Sequence, residues 1–267
     1  ARVEAASAAA EEANRAKDAF LAVLSHELRA PLGAIKGWLA LLQKSPGDPQ
    51  IVARAVRVFE RNVDLQTQLI DDLLDVSRIV SGKLALAFEV REVGPVVHAA
   101  VESLRPAAEA KKLALSFEDR ASPLLARMDA PRIQQVLVNL LSNAVKFTER
   151  GGKVVISAAM LADGGMAVSL TDTGIGMRPE DIPKAMSPFG QLESTFERRF
   201  EGTGLGLPLV QRLVELHGAE LRIESQLGQG TKVEVRFPRR RVIARAVGKD
   251  SGRVPDAESS PRKTGTE

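Results

Sequence analysis

The 267-residue chain contains no cysteine. This absence excludes a disulfide framework, thiolate metal sites and cysteine catalysis, and it is typical of proteins of the cytosol. The sequence also lacks any apolar run of about 18 residues, the length that a helix needs to cross a bilayer. With 44% hydrophobic and 27% charged residues, the chain can supply one large core or two modest ones.

A secretory signal is also missing, and the first residue is alanine. We therefore expect a fragment of a longer cytoplasmic protein, whose absent N-terminal region could carry a membrane anchor. The formal net charge of +3 is too small to indicate a nucleic-acid partner. Residues 239–267 have a net charge of +4, which leaves the rest of the chain at −1. We expect this Ser-, Pro- and Gly-rich tail to be disordered and solvated rather than a binding arm.

The N-terminal third of the chain has the pattern of two amphipathic helices. Residues 1–43 are rich in strong helix formers, and residues 45–49 predict a turn. An apolar stripe marks the first helix at Leu32, Ile35, Leu39 and Leu42. A second stripe follows the turn at Val52, Val56, Phe59, Val63, Ile70 and Leu73, interrupted by Gln66. One hairpin cannot bury both stripes, so we predict a homodimer through residues 1–82, which would form a four-helix bundle.

From about Phe88 onward, predicted helices and strands alternate. Helices are predicted over residues 94–110, 130–148 and 205–217. Strands are predicted over residues 113–118, 153–160, 165–172, 220–225 and 231–237. This order has no regular βαβ repeat, and the connector QLGQG predicts a hairpin between the last two strands. The pattern favours an α/β sandwich with a mixed sheet and helices on one face, which we assign to a second domain over residues 88–238.

The segment LSHELRAPL, residues 24–32, contains the candidate catalytic histidine. The apolar positions of this helix lie two residues before and after His26, so the imidazole should point roughly 160–200° away from them, into solvent. A free imidazole is mostly neutral and nucleophilic at neutral pH. Glu27 is placed to orient the ring or to accept its proton. Pro31 removes a backbone hydrogen bond, so we expect the helix to bend there.

The other two histidines are weaker candidates for catalysis. His98 lies in a helix at the start of the second domain. His217 precedes Gly218 at a predicted helix end, where we expect it to be a cation that the helix dipole favours.

Polar residues on one helix of the second domain suggest a nucleotide site. Asn139, Asn143 and Lys146 share one face of the helix over residues 134–148. Amide oxygens suit Mg²⁺ and a lysine suits a phosphate, although the same pattern also fits a plain solvated face.

Two glycine-containing segments add to this pattern. DTGIGM, residues 172–177, places a carboxylate before two glycines, which allow a backbone to approach a flat ligand closely. EGTGLGL, residues 201–207, opens a helix whose backbone amides would favour an anion. The chain contains neither the G-x-G-x-x-G spacing after a strand nor the P-loop pattern, so the two commonest nucleotide motifs are excluded.

Five motifs in order, LSHELRAPL, NLLSNAVKFT, DTGIGM, PFGQLE and GTGLGL, resemble the H, N, G1, F and G2 boxes of sensor histidine kinases of bacterial two-component systems. The resemblance covers about residues 15–238. It implies a helical dimerisation and phosphoacceptor domain, followed by an ATP-binding α/β sandwich of the gyrase/histidine-kinase (Bergerat) type. It also implies ATP and Mg²⁺ as cofactors, autophosphorylation on histidine, and transfer to an aspartate in the receiver domain of a response regulator.

The resemblance assigns roles by position within the boxes. His26 resembles the phosphoacceptor, and Glu27 resembles the acid that assists it. Asn143 resembles the Mg²⁺ ligand, with Asn139 close by, and Lys146 resembles a phosphate contact.

The remaining assignments lie around the adenine pocket and the ATP lid, which we expect over about residues 178–203. Asp172 resembles the carboxylate that accepts the adenine amino group, with Gly174 and Gly176 shaping that pocket. The lid and its hinge supply the F-box aromatic Phe189, two candidates for the γ-phosphate contact, Arg198 and Arg199, and the hinge glycines Gly202, Gly204 and Gly206.

The family pattern leaves several questions open. Ala30 stands where many members carry Thr or Asn to position water, so we expect weak phosphatase activity towards the partner. The 29 residues after Pro238 are too few for a receiver domain. A hydrolytic ATPase of the same superfamily would need a carboxylate where this chain has Asn139. A dimeric scaffold that binds ATP without using it is the second alternative.

Overall fold

The computed structural model describes residues 2–120, 123–188 and 204–243, with side chains from residue 22 onward. Two long helices come first, α1 (Arg2–Lys44) and α2 (Pro49–Val80), and they pack together as a hairpin. Asp48 caps α2, since its carboxylate accepts hydrogen bonds from the backbone N–H groups of Gln50 (2.8 Å) and Ile51 (3.3 Å). The helix α1 continues through Pro31, and the bend expected there stays a prediction.

The hairpin leaves much of its apolar stripe exposed. The exposed members include Leu32, Leu39, Val52, Val56, Val63 and Ile70. A different face of α2 is buried within the chain, at Ala55, Leu69, Asp72 and Asp75. Contiguous exposed apolar surface of this kind is typical of a protein–protein interface. Among the described helices, none combines the length and the apolar character that a membrane span requires.

The rest of the described chain forms two sheets and several helices. Their order is β1 (Glu89–Glu92), α3 (Val93–Ala110), β2 (Ala114–Asp119), β3 (Leu125–Met128), α4 (Ala130–Phe147), β4 (Lys153–Met160), β5 (Met166–Asp172), α5 (Ile182–Ala185), α6 (Gly206–Leu216), β6 (Glu220–Gln226), β7 (Gly230–Phe237) and β8 (Val242–Ile243). Short 3₁₀ turns lie at Pro179–Asp181 and Arg239–Arg241.

The larger sheet has the strand order β2-β4-β5-β7-β6. The strands β2 and β4 pair in parallel, and the other three pairs are antiparallel. The helices α3, α4 and α6 share one hydrophobic core with these strands. In β5, for example, Val168 and Leu170 are buried in that core. The α/β sandwich that the sequence predicted is therefore confirmed.

A second, three-stranded sheet of order β1-β3-β8 was not predicted. Its strands are only two to four residues long, too short to show a clear alternation of polar and apolar side chains. The strand β8 pairs with β3 through Val242 and Ala126. The prediction that residues 239–267 are disordered is therefore wrong for residues 239–243, while residues 244–267 lie outside the described residues.

Polar and apolar contacts join the end of α2 to the sandwich. The Arg132 Nη1 atom of α4 donates to the Asp75 carboxylate at 2.6 Å, and the Gln135 amide donates to the same oxygen at 2.8 Å. Val76 and Ile79 of α2 pack against the sandwich core. The last turns of α2 therefore pack directly against the second domain. The boundary expected between residues 82 and 88 stays a prediction.

Candidate functional site

A pocket opens between the C-terminal half of α4 and the strands β5, β7 and β6 of the large sheet. About 620 Å³ of space lies between its walls, part of which is open to solvent. Its lining is Leu140, Asn143, Ala144, Phe147, Leu170, Asp172, Ile175, Gly176, Met177, Leu207, Ile223, Thr231 and Val233. Most of these side chains are apolar, so the few polar ones would fix the orientation of a ligand.

Asp172 is the carboxylate of this lining. It ends β5 and is 8% exposed. Its Oδ1 atom accepts a hydrogen bond from the backbone N–H of Gly174 at 2.8 Å. Burial raises the pKa of the Asp172 carboxyl, and hydrogen bonds from the backbone N–H groups of Gly174 and Thr231 partly oppose that rise. A carboxylate in an apolar pocket is suited to accept a hydrogen bond from an N–H donor on a flat ligand.

The two glycines after Asp172 are required by the protein's own backbone. Gly176 has φ +62°, and a Cβ atom there would lie 2.0 Å from the Gln226 carbonyl oxygen. A Cβ atom on Gly174 would lie 2.7 Å from the Phe147 carbonyl oxygen. The loop is therefore pressed between the end of α4 and the β6–β7 hairpin. Gly176 lines the pocket, and Gly174 lies two residues before it. Close packing against the protein's own backbone is what requires glycine at both positions.

The polar face of α4 continues from this pocket towards the start of α6. Asn143 lines the pocket, and Asn139 lies one turn earlier. The Nδ2 atom of Asn139 is buried and finds no hydrogen-bond partner within the described part of the chain. A Cβ atom on Gly206, the first residue of α6, would lie 3.8 Å from the Asn139 Oδ1 atom. An unpaired buried donor is costly, so this arrangement fits a ligand that supplies an acceptor, such as a phosphate oxygen.

Lys146 and the hinge glycines complete the described part of this region. The Lys146 ammonium lies 4.6 Å from the centre of the Phe147 ring. Gly204 has φ +63° and precedes α6, a conformation that glycine adopts without strain. Four predicted site residues, Phe189, Arg198, Arg199 and Gly202, lie outside the described residues.

His26 lies on α1, away from the pocket lining. Its side chain is 81% exposed, which confirms the exposure predicted from the helix pattern. Its Nδ1 atom is 3.4 Å from the Glu27 Oε1 atom. A carboxylate can only accept, so this contact favours the tautomer with hydrogen on Nδ1 and a free lone pair on Nε2.

His217 differs from the sequence interpretation, which made it a helix-end cation. The imidazole is fully buried. Its Nε2 atom accepts from the backbone N–H of Asp129 at 3.2 Å, so Nδ1 carries the hydrogen and donates to the Leu213 carbonyl at 2.7 Å. Burial lowers the pKa of His217. It is therefore a neutral core histidine, packed edge-on against Phe88 and Phe237.

Several residues of the site escaped the sequence analysis. Phe147 and Met177 directly follow predicted site residues, and that adjacency was the available signal. Thr231 and Val233 come from the last hairpin, and nothing local in the sequence shows that this hairpin closes over the pocket. The mixed sheet places it there, because β7 pairs with β5 and brings Thr231 opposite Asp172.

Comparison with known protein families gives two matches along the chain. The family described as His Kinase A (phospho-acceptor) domain matches residues 16–82. The family described as Histidine kinase-, DNA gyrase B-, and HSP90-like ATPase matches residues 128–241. Fold, pocket and family matches together define a nucleotide-binding sandwich joined to a phosphoacceptor hairpin.

Individual proteins agree with this class. The cell-division control histidine kinase PdhS of Brucella canis is 38% identical over 248 residues, which cover 88% of this chain and 24% of PdhS. A full-length structure of ShkA in complex with AMPPNP is 27% identical, with a TM-score of 0.62 over 82% of this chain and 45% of ShkA. The histidine kinase ThkA, solved with the response regulator protein TrrA, shares the fold at 22% identity, with a TM-score of 0.65 over 86% of this chain and 64% of ThkA.

The chain belongs to the sensor histidine kinases, the class that both family matches and the similarity to PdhS indicate. It spans about a quarter of the length of PdhS.

Proposed function

We propose that this chain transfers the γ-phosphoryl group of ATP to His26 and then passes it to an aspartate in a response regulator receiver domain. One observation carries the proposal. The pocket lining contains a buried carboxylate, that of Asp172. One turn before the lining residue Asn143, α4 carries Asn139, whose amide nitrogen finds no hydrogen-bond partner in the described part of the chain. A ligand with an N–H donor on a flat ring and acceptors some distance away satisfies both groups, and ATP is such a ligand.

The adenine ring would lie in the apolar part of the pocket. The Asp172 carboxylate would accept a hydrogen bond from the exocyclic amino group. The backbone N–H of Gly174 holds the carboxylate in a fixed orientation for this bond. Phe147, Ile175 and Met177 supply apolar surface for the ring. The occupied pocket would exclude water from the Asp172 hydrogen bond and so strengthen it.

The phosphates would extend towards Asn139, Asn143, Lys146 and the start of α6. The Asn139 amide nitrogen would gain an acceptor there, and backbone N–H groups at the α6 N-terminus favour an anion. Asn143 would hold Mg²⁺ through its amide oxygen, a ligand type that this ion accepts. When bound, Mg²⁺ supplies positive charge that neutralises the phosphate oxygens during transfer.

The transfer is an in-line displacement at the γ-phosphorus. The Nε2 lone pair of His26 forms the new N–P bond, and the bond from phosphorus to the β–γ bridging oxygen breaks and releases ADP. Glu27 faces Nδ1 and stabilises the positive charge that develops on the ring, either by hydrogen bonding or by taking the Nδ1 proton. The pocket lining does not include His26, so transfer requires a movement that brings the pocket to His26.

The exposed stripe of α1 and α2 supports a homodimer through residues 1–82. Val63 and Ile70 are 53% and 44% exposed in the single chain, although both lie on the apolar face of α2. A second hairpin would cover them and complete a four-helix bundle. The receiver domain of the response regulator would dock where His26 is exposed. The histidine kinase ThkA, which has the same fold and was solved with the response regulator protein TrrA, supports this class of partner.

Labelled phosphate on His26 tests the proposed reaction. The protein is incubated with γ-labelled ATP and Mg²⁺, and the label is tested for loss in acid and retention in alkali. We expect label on the parent protein and none on His26→Gln. His98→Gln is the matched control, because His98 is also exposed (65%) and lies 3.8 Å from a glutamate, Glu102. Equal labelling of His26→Gln and the parent would refute the proposal, and ATP binding without any label would favour the scaffold alternative.

A further inference from the structure

The C-terminal end of α4 is a junction where all the last carbonyl groups have partners. An α-helix leaves its final carbonyls without helical partners. Here the Ala144 carbonyl accepts from the Thr148 N–H at 2.9 Å, and the Phe147 carbonyl accepts from the Ile175 N–H at 3.2 Å. The carbonyls of Val145 and Lys146 are both bound by the side chain of Lys111.

Lys111 comes from the end of α3 and reaches across to this helix end. Its Nζ atom donates to the carbonyl oxygens of Val145 at 2.7 Å, Lys146 at 2.9 Å and Thr148 at 2.8 Å. An ammonium group has three donors, which match these three acceptors. Its charge also lies at the negative end of the α4 dipole, where a cation is favourable. Partial burial lowers the pKa of Lys111.

The turn that Lys111 holds also carries the nucleotide pocket. Asn143, Ala144 and Phe147 of this turn line the pocket. The loop that follows Asp172 is attached to the same turn, because the Ile175 N–H donates to the Phe147 carbonyl. Both walls of the pocket that flank Asp172 therefore depend on the position of the last turn of α4.

We infer that Lys111 is a positioning residue for ATP: its three bonds to the end of α4 fix the turn that presents Asn143 and Phe147, and through Ile175 they fix the loop of Asp172. This inference rests on the proposed function for the identity of the ligand. Without the ammonium, three carbonyls lose a charged donor, and hydrogen bonds to charged groups are among the stronger ones. The turn would then fray, and the Ile175 hydrogen bond would open with it.

The test compares Lys111→Met, which keeps the length of the apolar stem but lacks the donors, with Lys111→Arg, which keeps charge and donors. Lys112→Met is the matched control, since Lys112 is the adjacent, exposed lysine. Two quantities are measured: KM for ATP against kcat in autophosphorylation, and hydrogen exchange of the Ile175 amide in the protein without nucleotide. A melting temperature for each variant accompanies them.

We expect Lys111→Met to raise KM for ATP about tenfold with a much smaller change in kcat, and to speed exchange of the Ile175 amide about tenfold. A tenfold change corresponds to the loss of one of the weaker hydrogen bonds to a charged group. Lys111→Arg should keep both KM for ATP and the Ile175 exchange rate close to the parent values, and Lys112→Met should match the parent. If Lys111→Met shows no melting transition, Lys111→Gln replaces it with the same expected direction.

A lower melting temperature with unchanged KM and with exchange raised evenly over the whole sandwich would overturn the inference, because Lys111 would then be a general stabiliser. The exchange measurement needs no nucleotide, so it separates the two proposals. If the parent protein does not bind ATP, the proposed function fails, while exchange at Ile175 still decides whether Lys111 holds the loop.

Discussion

Replacement of Asp172 by asparagine should weaken ATP binding while the sandwich stays folded. The asparagine side chain would keep one oxygen, which can accept from one of the two backbone N–H groups that Asp172 now binds, those of Gly174 and Thr231. Its NH₂ group would face the other N–H or the adenine amino group, and both of these are donors. The variant therefore loses the acceptor that the ligand needs.

The size of the loss follows from the kind of bond removed. A hydrogen bond to a charged group contributes about 1.5–3 kcal/mol, which corresponds to roughly a 10- to 100-fold loss of affinity. The free protein should change little in stability, because removal of a buried charge is favourable and loss of a backbone hydrogen bond is unfavourable. The Asp172→Asn variant should therefore lose affinity for ATP while its free energy of unfolding stays close to that of the parent.

The assay is a fluorescence titration with an ATP analogue, together with thermal unfolding of each variant. Asp163→Asn is the matched control, because the Asp163 Oδ1 atom accepts from the Gly165 N–H at 2.8 Å, the same local geometry as in Asp172 and Gly174, in the turn between β4 and β5. The control should bind ATP like the parent. Binding by Asp172→Asn within twofold of the parent would refute the role of this carboxylate.

The pKa of Asp172 gives the same prediction a pH dependence. Because burial raises this pKa above the usual value of 3.8, the carboxyl favours the free folded state most at low pH, and this contribution is lost as pH rises through the folded pKa. ATP binding needs the ionised form of Asp172, so the affinity for ATP should increase as pH rises through the folded pKa. The stabilisation that ATP gives should therefore decrease on acidification in the parent, and this decrease should be much smaller in Asp172→Asn.

The remaining predictions concern the dimer, the buried histidine and the partner. Val63→Asp combined with Ile70→Asp should convert the dimer to monomers in sedimentation, because two exposed apolar side chains would become charged. An unchanged dimer would exclude this face of α2 as the dimer interface. His217 has a lowered pKa, so its contribution to stability is present above about pH 6.5 and is lost as pH falls. Urea unfolding at pH 5 and pH 7.5 should show this loss in the parent and a smaller one in His217→Phe. Finally, Ala30→Thr should speed dephosphorylation of a purified phospho-partner, and a high rate in the parent would contradict the hypothesis of weak phosphatase activity.

The regular elements were predictable because their patterns are local. The 3.6-residue period of α2 and α4 and the alternation of polar and apolar residues in β7 appear within single windows of sequence. The short strands β1, β3 and β8 were missed, because pairing between distant segments, and not local preference, makes them strands. For the same reason the ordered residues 239–243 were assigned to the tail.

The site was predictable where chemistry and motif coincide. Asp172, Gly176 and Asn143 were named from the sequence, and the structure brings all three to one pocket. His217 was misjudged, since its burial depends on Phe88 and Phe237, which are far from it in sequence. Lys111 was missed because a lysine at a helix end is usually a solvated side chain, and only the packing of α3 on α4 shows which carbonyls it meets.

Site mapping of the phosphate would show directly whether His26 accepts the γ-phosphoryl group. After incubation with ATP and Mg²⁺, the protein is digested at neutral to alkaline pH, and the modified residue is identified by mass spectrometry. We expect one phosphorylated imidazole, at His26, and an unmodified His98 in the same sample. A phosphate found on another residue, with His26 unmodified, would contradict this expectation.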